Sequence, residues 1–347
     1  MTHDFPSSLA SFSFTRRRFA ALCCAALVTG FTAGCDKSSA PAATAAATSD
    51  KITVGICELV EHEALDLSVK GFLDELAARG FKDGDKIVVD RQNAQGDQAT
   101  LQNIGSRFLS EKTKLIFAVS TPATQAMARA TREIPIVATA VTSFEAAKVV
   151  KSNDKPGTNV TGVSNIGPIA RQLDLFLALA PDAKTVGVLF NAGEVNSAFQ
   201  VGIFKKAAAA KGVEVLEATV SSVNDIQQAV TSLSGKVAGL WFPTDNVLAA
   251  GTSILAKAAK DAKIPTIPGD EALIRGGCLA TIAVDYYTLG RMSGTMAADI
   301  LEGKSKPADM AIQTQDAQKP LINLATAKAI GLTIPEDILK NAAVIEK

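Results

Sequence analysis

The 347-residue chain carries 35 basic and 35 acidic side chains, is 47% hydrophobic and holds only two histidines. Charge is balanced and no basic stripe points to nucleic acid, and two histidines leave almost no raw material for imidazole metal sites or serine–histidine triads. At this length two domains are favoured over one.

Residues 15–19 read Thr-Arg-Arg-Arg-Phe and are followed by an apolar run from Ala20 to Phe31, then Thr32-Ala33-Gly34-Cys35. A positive patch before an apolar stretch too short to span a bilayer predicts an export leader over residues 1–34, removed on maturation. The arginines resemble a twin-arginine signal, with Ala20 and Ala21 where Leu and Lys are frequent, so the general secretory and twin-arginine routes both stay open. Ala33-Gly34-Cys35 resembles the lipobox of bacterial lipoproteins, although Thr32 replaces the usual Leu. Cys35 is therefore expected to carry lipid and to hold the protein to a membrane in the periplasm or cell envelope, by that lipid alone. Residues 35–50, rich in Ala, Ser and Thr, have no large apolar side chain to build a core and read as a flexible tether. Cys23 and Cys24 leave with the leader. Cys57 and Cys278 lie in apolar runs and are expected to be buried free thiols, a single bridge between them being the alternative.

From Lys51 onward, short β-branched runs alternate with longer amphipathic ones, the pattern of parallel α/β structure. Strands are predicted over 51–56, 86–91, 114–119 and 134–139, and again over 185–190, 212–217, 237–242 and 264–269. Leu65, Val69, Phe72, Leu73 and Leu76 recur at helical spacing and Gly80 ends that helix. The two sets are copies of one plan. Gly80 and Gly212 close equivalent helices 132 residues apart, and Ile134-Pro135 and Ile264-Pro265 open equivalent strands at an offset of 130. Two doubly wound parallel-sheet lobes follow, the first from 51–162 with 285–312, the second from 163–284 with 313–347, joined by three crossings that make a hinge.

Ligands of open parallel sheets sit beyond the carboxyl ends of the strands, so the turns there supply the candidates. In the first lobe these are His62 in a polar rim loop, Thr121 before Pro122 as a helix cap, and Thr139 and Thr142 at the end of the fourth strand. The second lobe offers Asn191, Asn196 and Glu194 after its first strand, Asp245 and Asn246 after its third, and Asp270 and Glu271 after its fourth. Asp285 opens a polar turn, Asp285-Tyr286-Tyr287, on the return crossing; either tyrosine could line the cleft or pack in the core. Hydroxyls and helix N-termini facing carboxylates suit a zwitterion, its carboxylate on the first lobe and its ammonium on the second.

The motifs VEHEALD (60–66), QNAQGDQAT (92–100), IPIVATAVT (134–142), NVTGVSN (159–165), PTDN (243–246), VDYYTLG (284–290) and LINLATAKAIGLTIPEDIL (321–339) resemble a known family. It is that of the substrate-binding lipoproteins of ABC transporters often assigned to tryptophan and other aromatic amino acids, with the type I periplasmic binding-protein fold. The family usually has Pro where Glu63 stands and often Ser-Glu near Pro268-Gly269. The resemblance implies a monomeric extracytoplasmic receptor that closes on a small ligand, an amino acid with aromatic ones among the candidates, and presents it to an ABC permease. A receptor subunit feeding a sensor or chemoreceptor is the alternative.

Enzymatic motifs are missing from the sequence. Beyond the leader only His62 remains as a histidine, no GxSxG elbow occurs, and Gly55-Ile56-Cys57-Glu58 offers no dinucleotide fingerprint after the first strand. Gly303-Lys304-Ser305 ends like a P-loop but has Ala298 in place of the first glycine. No catalytic residue, cofactor, metal or nucleic-acid partner is expected.

Overall fold

The computed structural model describes residues 51–316 and 319–346; the leader, the tether and Cys35 lie outside the described residues. The first lobe runs β1 (Ile52–Glu58), α1 (Glu63–Ala78), β2 (Ile87–Asn93), α2 (Gln98–Ser110), β3 (Leu115–Val119), α3 (Thr121–Ala130), β4 (Ile136–Val141) and β5 (Val160–Ser164). The second continues with α4 (Ile169–Leu179), β6 (Thr185–Phe190), α5 (Val195–Ala210), β7 (Glu214–Thr219), α6 (Ile226–Leu233), β8 (Leu240–Phe242), α7 (Asn246–Ala250), α8 (Thr252–Asp261), β9 (Thr266–Pro268), α9 (Glu271–Arg275) and β10 (Ala280–Thr281). The chain returns through α10 (Tyr286–Leu301) and β11 (Gln313–Thr314), then ends on β12 (Leu321–Asn323), α11 (Leu324–Ile330), α12 (Glu336–Lys340) and β13 (Ala343–Ile345).

In the first sheet the order is β11-β5-β4-β3-β1-β2, and in the second β7-β6-β8-β9, with every pair parallel. In each, the first strand sits between the second and third, so the connections leave it in opposite directions and open a crevice at its carboxyl end. Alternation along the strands feeds two cores per sheet: Leu115, Phe117 and Val119 of β3 join one cluster, Ile116 and Ala118 the other. Phe72 stacks on Phe117 with centroids 3.8 Å apart, and Phe204 on Trp241 at 4.2 Å. The helices α1 and α10 touch backbone to backbone. A Cβ on Gly71 would stand 2.1 Å from the Tyr287 carbonyl oxygen and one on Gly290 2.0 Å from that of Ser68, so only glycine fits either place.

All eight predicted strands are present, and the structure adds what the sequence reading did not reach. β5 runs to Ser164 and β11 pairs with it, so Val163, Ser164, Gln313 and Thr314, expected in the second lobe, belong to the first sheet. β10 pairs antiparallel with β12, which pairs parallel with β13, a small third sheet beside the second lobe. The expected turn at 285–287 is shorter: Asp285 caps α10 and Tyr286 already begins it. Three crossings, after β5, β10 and β11, join the lobes. Cys57 and Cys278 are free and buried, on opposite lobes.

Candidate functional site

The carboxyl edge of the first sheet leaves polar atoms unpaired. His62 is the N-cap residue of α1, yet its side chain caps nothing. After β3 the chain turns at Ser120, held at φ 96°, and Ser120 rather than Thr121 caps α3, its Oγ accepting from the Ala123 N–H at 3.4 Å. Thr121 is instead the first helical residue, so its hydroxyl is released from capping. β4 continues past Thr139 to Val141, with Ala140 at φ 55°, which leaves the Thr139 hydroxyl inside the strand end. Seven buried side-chain polar atoms among the described residues lack a partner. Five of them stand at or beyond strand ends of the two sheets: both His62 ring nitrogens, Thr121 Oγ1 and Thr139 Oγ1 on the first lobe and Asn196 Oδ1 on the second, where a bound molecule could supply the missing partners.

The edge of the second sheet is nearly self-satisfied. Asp245 Oδ2 accepts from the Asn191 N–H and from Ser197 Oγ, both at 2.7 Å, while Oδ1 accepts from the Val247 and Leu248 N–H groups at the start of α7. Glu194 Oε2 accepts from Asn196 Nδ2 at 2.9 Å and Asn246 Nδ2 at 2.6 Å. Asp270 differs. Its Oδ1 caps α9 through the Ala272 N–H at 2.6 Å, no backbone donor reaches its other oxygen, and the Tyr286 hydroxyl of the first lobe stands beside the carboxylate.

Side chains of the two lobes meet in a hydrogen-bonded cluster. Thr142 Oγ1 lies 3.1 Å from Gln200 Nε2, 3.3 Å from Thr244 Oγ1 and 3.2 Å from Asn165 Oδ1, and Asn165 Nδ2 donates to the Tyr286 hydroxyl at 2.8 Å. Beside it the lobes enclose a cavity of about 10 Å³, lined by His62, Leu65, Ala140 and Tyr286 from the first lobe, Asn165 from a crossing, and Asn196, Thr244, Asp245, Asn246, Ala249 and Asp270 from the second. At the rim Arg275 of α9 forms an ion pair with Glu63 of α1 across the cleft.

Burial dominates the electrostatics. It pushes the Asp270 carboxyl up to about 6, against the Ala272 N–H and the Arg275 charge. Glu194 and Asp245 are pushed up by the same cause, Glu194 further by its carboxylate neighbour. Burial drives His62 down to about 4, so at neutral pH the imidazole is uncharged.

Of the sequence candidates, His62, Asn196, Asp245, Asn246 and Asp270 line the cavity, and Thr121, Thr139 and Thr142 stand at the strand ends of the first lobe. Three do not join them. Asn191 shapes its own loop, its Oδ1 accepting from the Gly193 N–H. Glu271 and Asp285 line a separate groove of about 620 Å³ beside the hinge with Tyr287 and Lys319, because the α9 and α10 N-termini turn them away from the strand ends. Asp245, expected to meet an ammonium, has both oxygens taken by its own lobe. The sequence reading missed Asn165, Gln200 and Thr244; Gln200 lies one turn inside α5, on the face that also buries Asn196 and Ser197, and buried polar residues at that spacing are the signal for it. Among the described residues no group of His, Cys, Asp or Glu is placed to hold a metal ion.

Residues 53–345 match the profile of a family described as ABC transporter substrate binding protein. A relative from Clostridioides difficile (strain R20291), named tyrosine-binding protein, is 43% identical over 279 residues, 80% of this chain and 81% of that protein. An ABC domain from Streptococcus pneumoniae, solved in complex with L-Trp, is 37% identical with a TM-score of 0.82, over 85% of this chain and all of its own (100%). A substrate-binding protein with adhesive properties from Clostridium difficile, solved ligand-free and open, is more similar in sequence at 41%, yet superposes less well, with a TM-score of 0.66 over 85% and 99% of the two chains. The L-Trp complex thus superposes better on this chain than the ligand-free open protein does, despite its lower identity.

Proposed function

Because this chain belongs to the ABC transporter substrate-binding protein family, we propose that it is an extracytoplasmic receptor that closes on an aromatic amino acid and delivers it to an ABC permease. As a member of that family it binds a solute for transport. The amino-acid ligand is supported by the tyrosine-binding relative and by the L-Trp complex, and above all by the unpaired polar atoms collected around a cleft with one half-free carboxylate.

The ligand's carboxylate meets the Thr121 hydroxyl and the N-terminus of α3, with Thr139 and Thr142 beside it. Its ammonium meets Asp270, whose burial makes a charged partner valuable: a cation there favours the ionised carboxyl that the dry site opposes. The enclosed 10 Å³ is about the room one water needs, so the lobes must part to admit an amino acid. Closure then follows from ligand contacts made to both lobes at once, and the permease reads the closed shape. Acylation of Cys35 keeps the receptor at the membrane as a monomer beside that permease.

Isothermal calorimetry of the purified protein against the common amino acids, with a sugar and a short peptide as counter-ligands, tests the reading. Binding of tyrosine, tryptophan or phenylalanine with a rise in melting temperature that grows with concentration is the expected result. Binding of the sugar alone would overturn it.

A further inference from the structure

His62 has both ring nitrogens shut from solvent and in no well-formed hydrogen bond, with the Asn246 side chain close by. It does not cap the helix it precedes, although it occupies the N-cap position. It forms part of the wall of the inner cavity together with Leu65, Ala140 and Ala249, and part of a pocket of about 270 Å³ outside it, which Ala250 and Ala272 of the second lobe also line. Leu65, Ala140 and Ala249 give an aromatic ring an apolar side to lie on once the lobes part, while Asn196, Asn246 and Asp270 keep the rest of that wall polar.

We infer that His62 is the specificity-determining residue for the ligand's side chain, bonding a polar atom at the edge of an aromatic ring and so preferring a phenol or an indole to a bare phenyl ring. The inference rests on the amino-acid reading above. The zwitterion already has its partners: Asp270 for the ammonium, Thr121 and the α3 N-terminus for the carboxylate. An imidazole kept neutral by burial brings no charge to either end of the ligand. It brings one donor and one acceptor. A phenol hydroxyl can use either nitrogen, and an indole N–H donates to the acceptor one. Asn196 Oδ1, the unpaired acceptor of the opposite lobe, lines the same cavity and gives a hydroxyl proton a second place to go. Closure on phenylalanine would leave these atoms dry and unpaired, and a site built to bond a polar group discriminates strongly against a ligand that lacks it.

Calorimetry with L-Tyr, L-Trp and L-Phe on wild type, His62→Leu and His62→Gln decides the matter. Wild type is expected to bind tyrosine or tryptophan at least about 30-fold more tightly than phenylalanine, on the scale of a missing hydrogen bond in a dry site. In His62→Leu that ratio should fall to within about threefold, with tyrosine and tryptophan bound less tightly and phenylalanine at least as tightly as before, since it no longer strands an imidazole; His62→Gln, which keeps a donor and an acceptor, should recover part of the ratio. A retained phenylalanine affinity also establishes that the variant is folded. The inference is overturned if wild type fails to discriminate, or if His62→Leu keeps the wild-type ratio. If none of the three amino acids binds wild type while another ligand class does, the proposed function falls and this inference with it; binding without discrimination removes the His62 role alone.

Discussion

The two edges that face each other across the cleft are made of similar residues and behave differently. On the first lobe, Thr121, Thr139 and His62 keep hydroxyls and ring nitrogens without partners, whereas on the second Glu194, Asn196, Ser197, Asp245 and Asn246 bond one another. An unpaired buried polar group costs about 1–3 kcal/mol, so the first edge carries a penalty that a ligand can remove. Apart from Asn196 Oδ1, the second is a finished wall among its hydrogen-bonding side chains. Its exception is Asp270, and the contrast between the two edges therefore narrows to a contrast between two aspartates.

Substitution of those two aspartates gives the largest expected effects and can break the comparison outright. Asp270→Ala should weaken binding of the ligand by about 2–5 kcal/mol in calorimetry, the usual loss when one partner of a desolvated charge pair is removed. Asp245→Ala should instead lower stability in urea by about 1–3 kcal/mol, because it removes the cap of α7 and strands the Asn191 N–H and the Ser197 hydroxyl. If Asp245→Ala loses affinity as severely as Asp270→Ala and unfolds at the same urea concentration as wild type, the wall reading is wrong.

The same contrast has a pH signature. Burial raises Asp270 from 3.8 to about 6, so the folded protein holds that proton more tightly than the unfolded chain, and stability falls as pH rises from about 4 to about 6, then levels. A shift of that size corresponds to roughly 2–3 kcal/mol carried by the ligand-free protein at neutral pH. Asp270→Asn keeps an acceptor for the Ala272 N–H and removes the charge, so it should be more stable than wild type at pH 7.5–8, with the difference vanishing near pH 4, by urea denaturation at several pH values. His62 acts in the opposite sense. Its pKa falls from 6.5 to about 4 on folding, so its contribution is present above pH 6.5 and lost as pH drops through 4. A wild-type profile alone mixes the two; the Asn variant separates them. Equal stabilities of variant and wild type at pH 8 would show that Asp270 is solvated.

Sequence gave no means of distinguishing these aspartates. Both follow a strand, both precede a short helix, and both cap it. What separates them is that Asn191 and Ser197, about fifty residues before Asp245, close on its second oxygen, a tertiary fact no turn motif encodes. The larger strands were legible because their apolar runs are long and β-branched. β5 was not, since Thr161 and Gly162 interrupt its run, and β11 is two polar residues, Gln313 and Thr314, that carry no strand signal until β5 is there to pair with. Thr121 begins α3 instead of capping it, because Ser120 adopts a positive φ that Ser-Thr-Pro does not encode and takes the cap.

A smaller effect sharpens the first edge. Thr121→Val keeps the shape and deletes an unpaired hydroxyl, so binding should weaken by about 0.5–2 kcal/mol while stability holds or rises. Thr124 sits one residue beyond Pro122 and Ala123, and its hydroxyl does bond, to the Ser120 carbonyl at 2.7 Å. Thr124→Val should therefore reverse the outcome, with stability lowered by about 1 kcal/mol and affinity unchanged. Thermal melts and calorimetry on the pair check it; a loss of affinity in Thr124→Val alone would move the ligand surface away from Thr121.

The smallest effect concerns how the edges are held together. Glu63 and Arg275 form an ion pair from one lobe to the other, and their side chains remain 48% and 38% exposed. Lys257 and Asp261 form a more exposed pair inside α8. Each is a surface pair worth about 0.2–1 kcal/mol, screened by salt. Only the first is broken when the lobes part, so only the first can bias closure and thereby affinity. Glu63→Gln should weaken ligand binding by up to about fivefold at low ionic strength and by nothing measurable near 1 M salt, where the Debye length is about 3 Å. Lys257→Gln should leave affinity unchanged at both. The measurement is calorimetry of the three proteins at two salt concentrations. Glu63 is the sharper choice than Arg275, which also lies 3.5 Å from Glu271 within α9, so that removing it disturbs two pairs at once. If Glu63→Gln and Lys257→Gln shift affinity alike, the cross-lobe pair acts as ordinary surface charge, and closure is governed by the Thr142, Gln200 and Thr244 cluster instead.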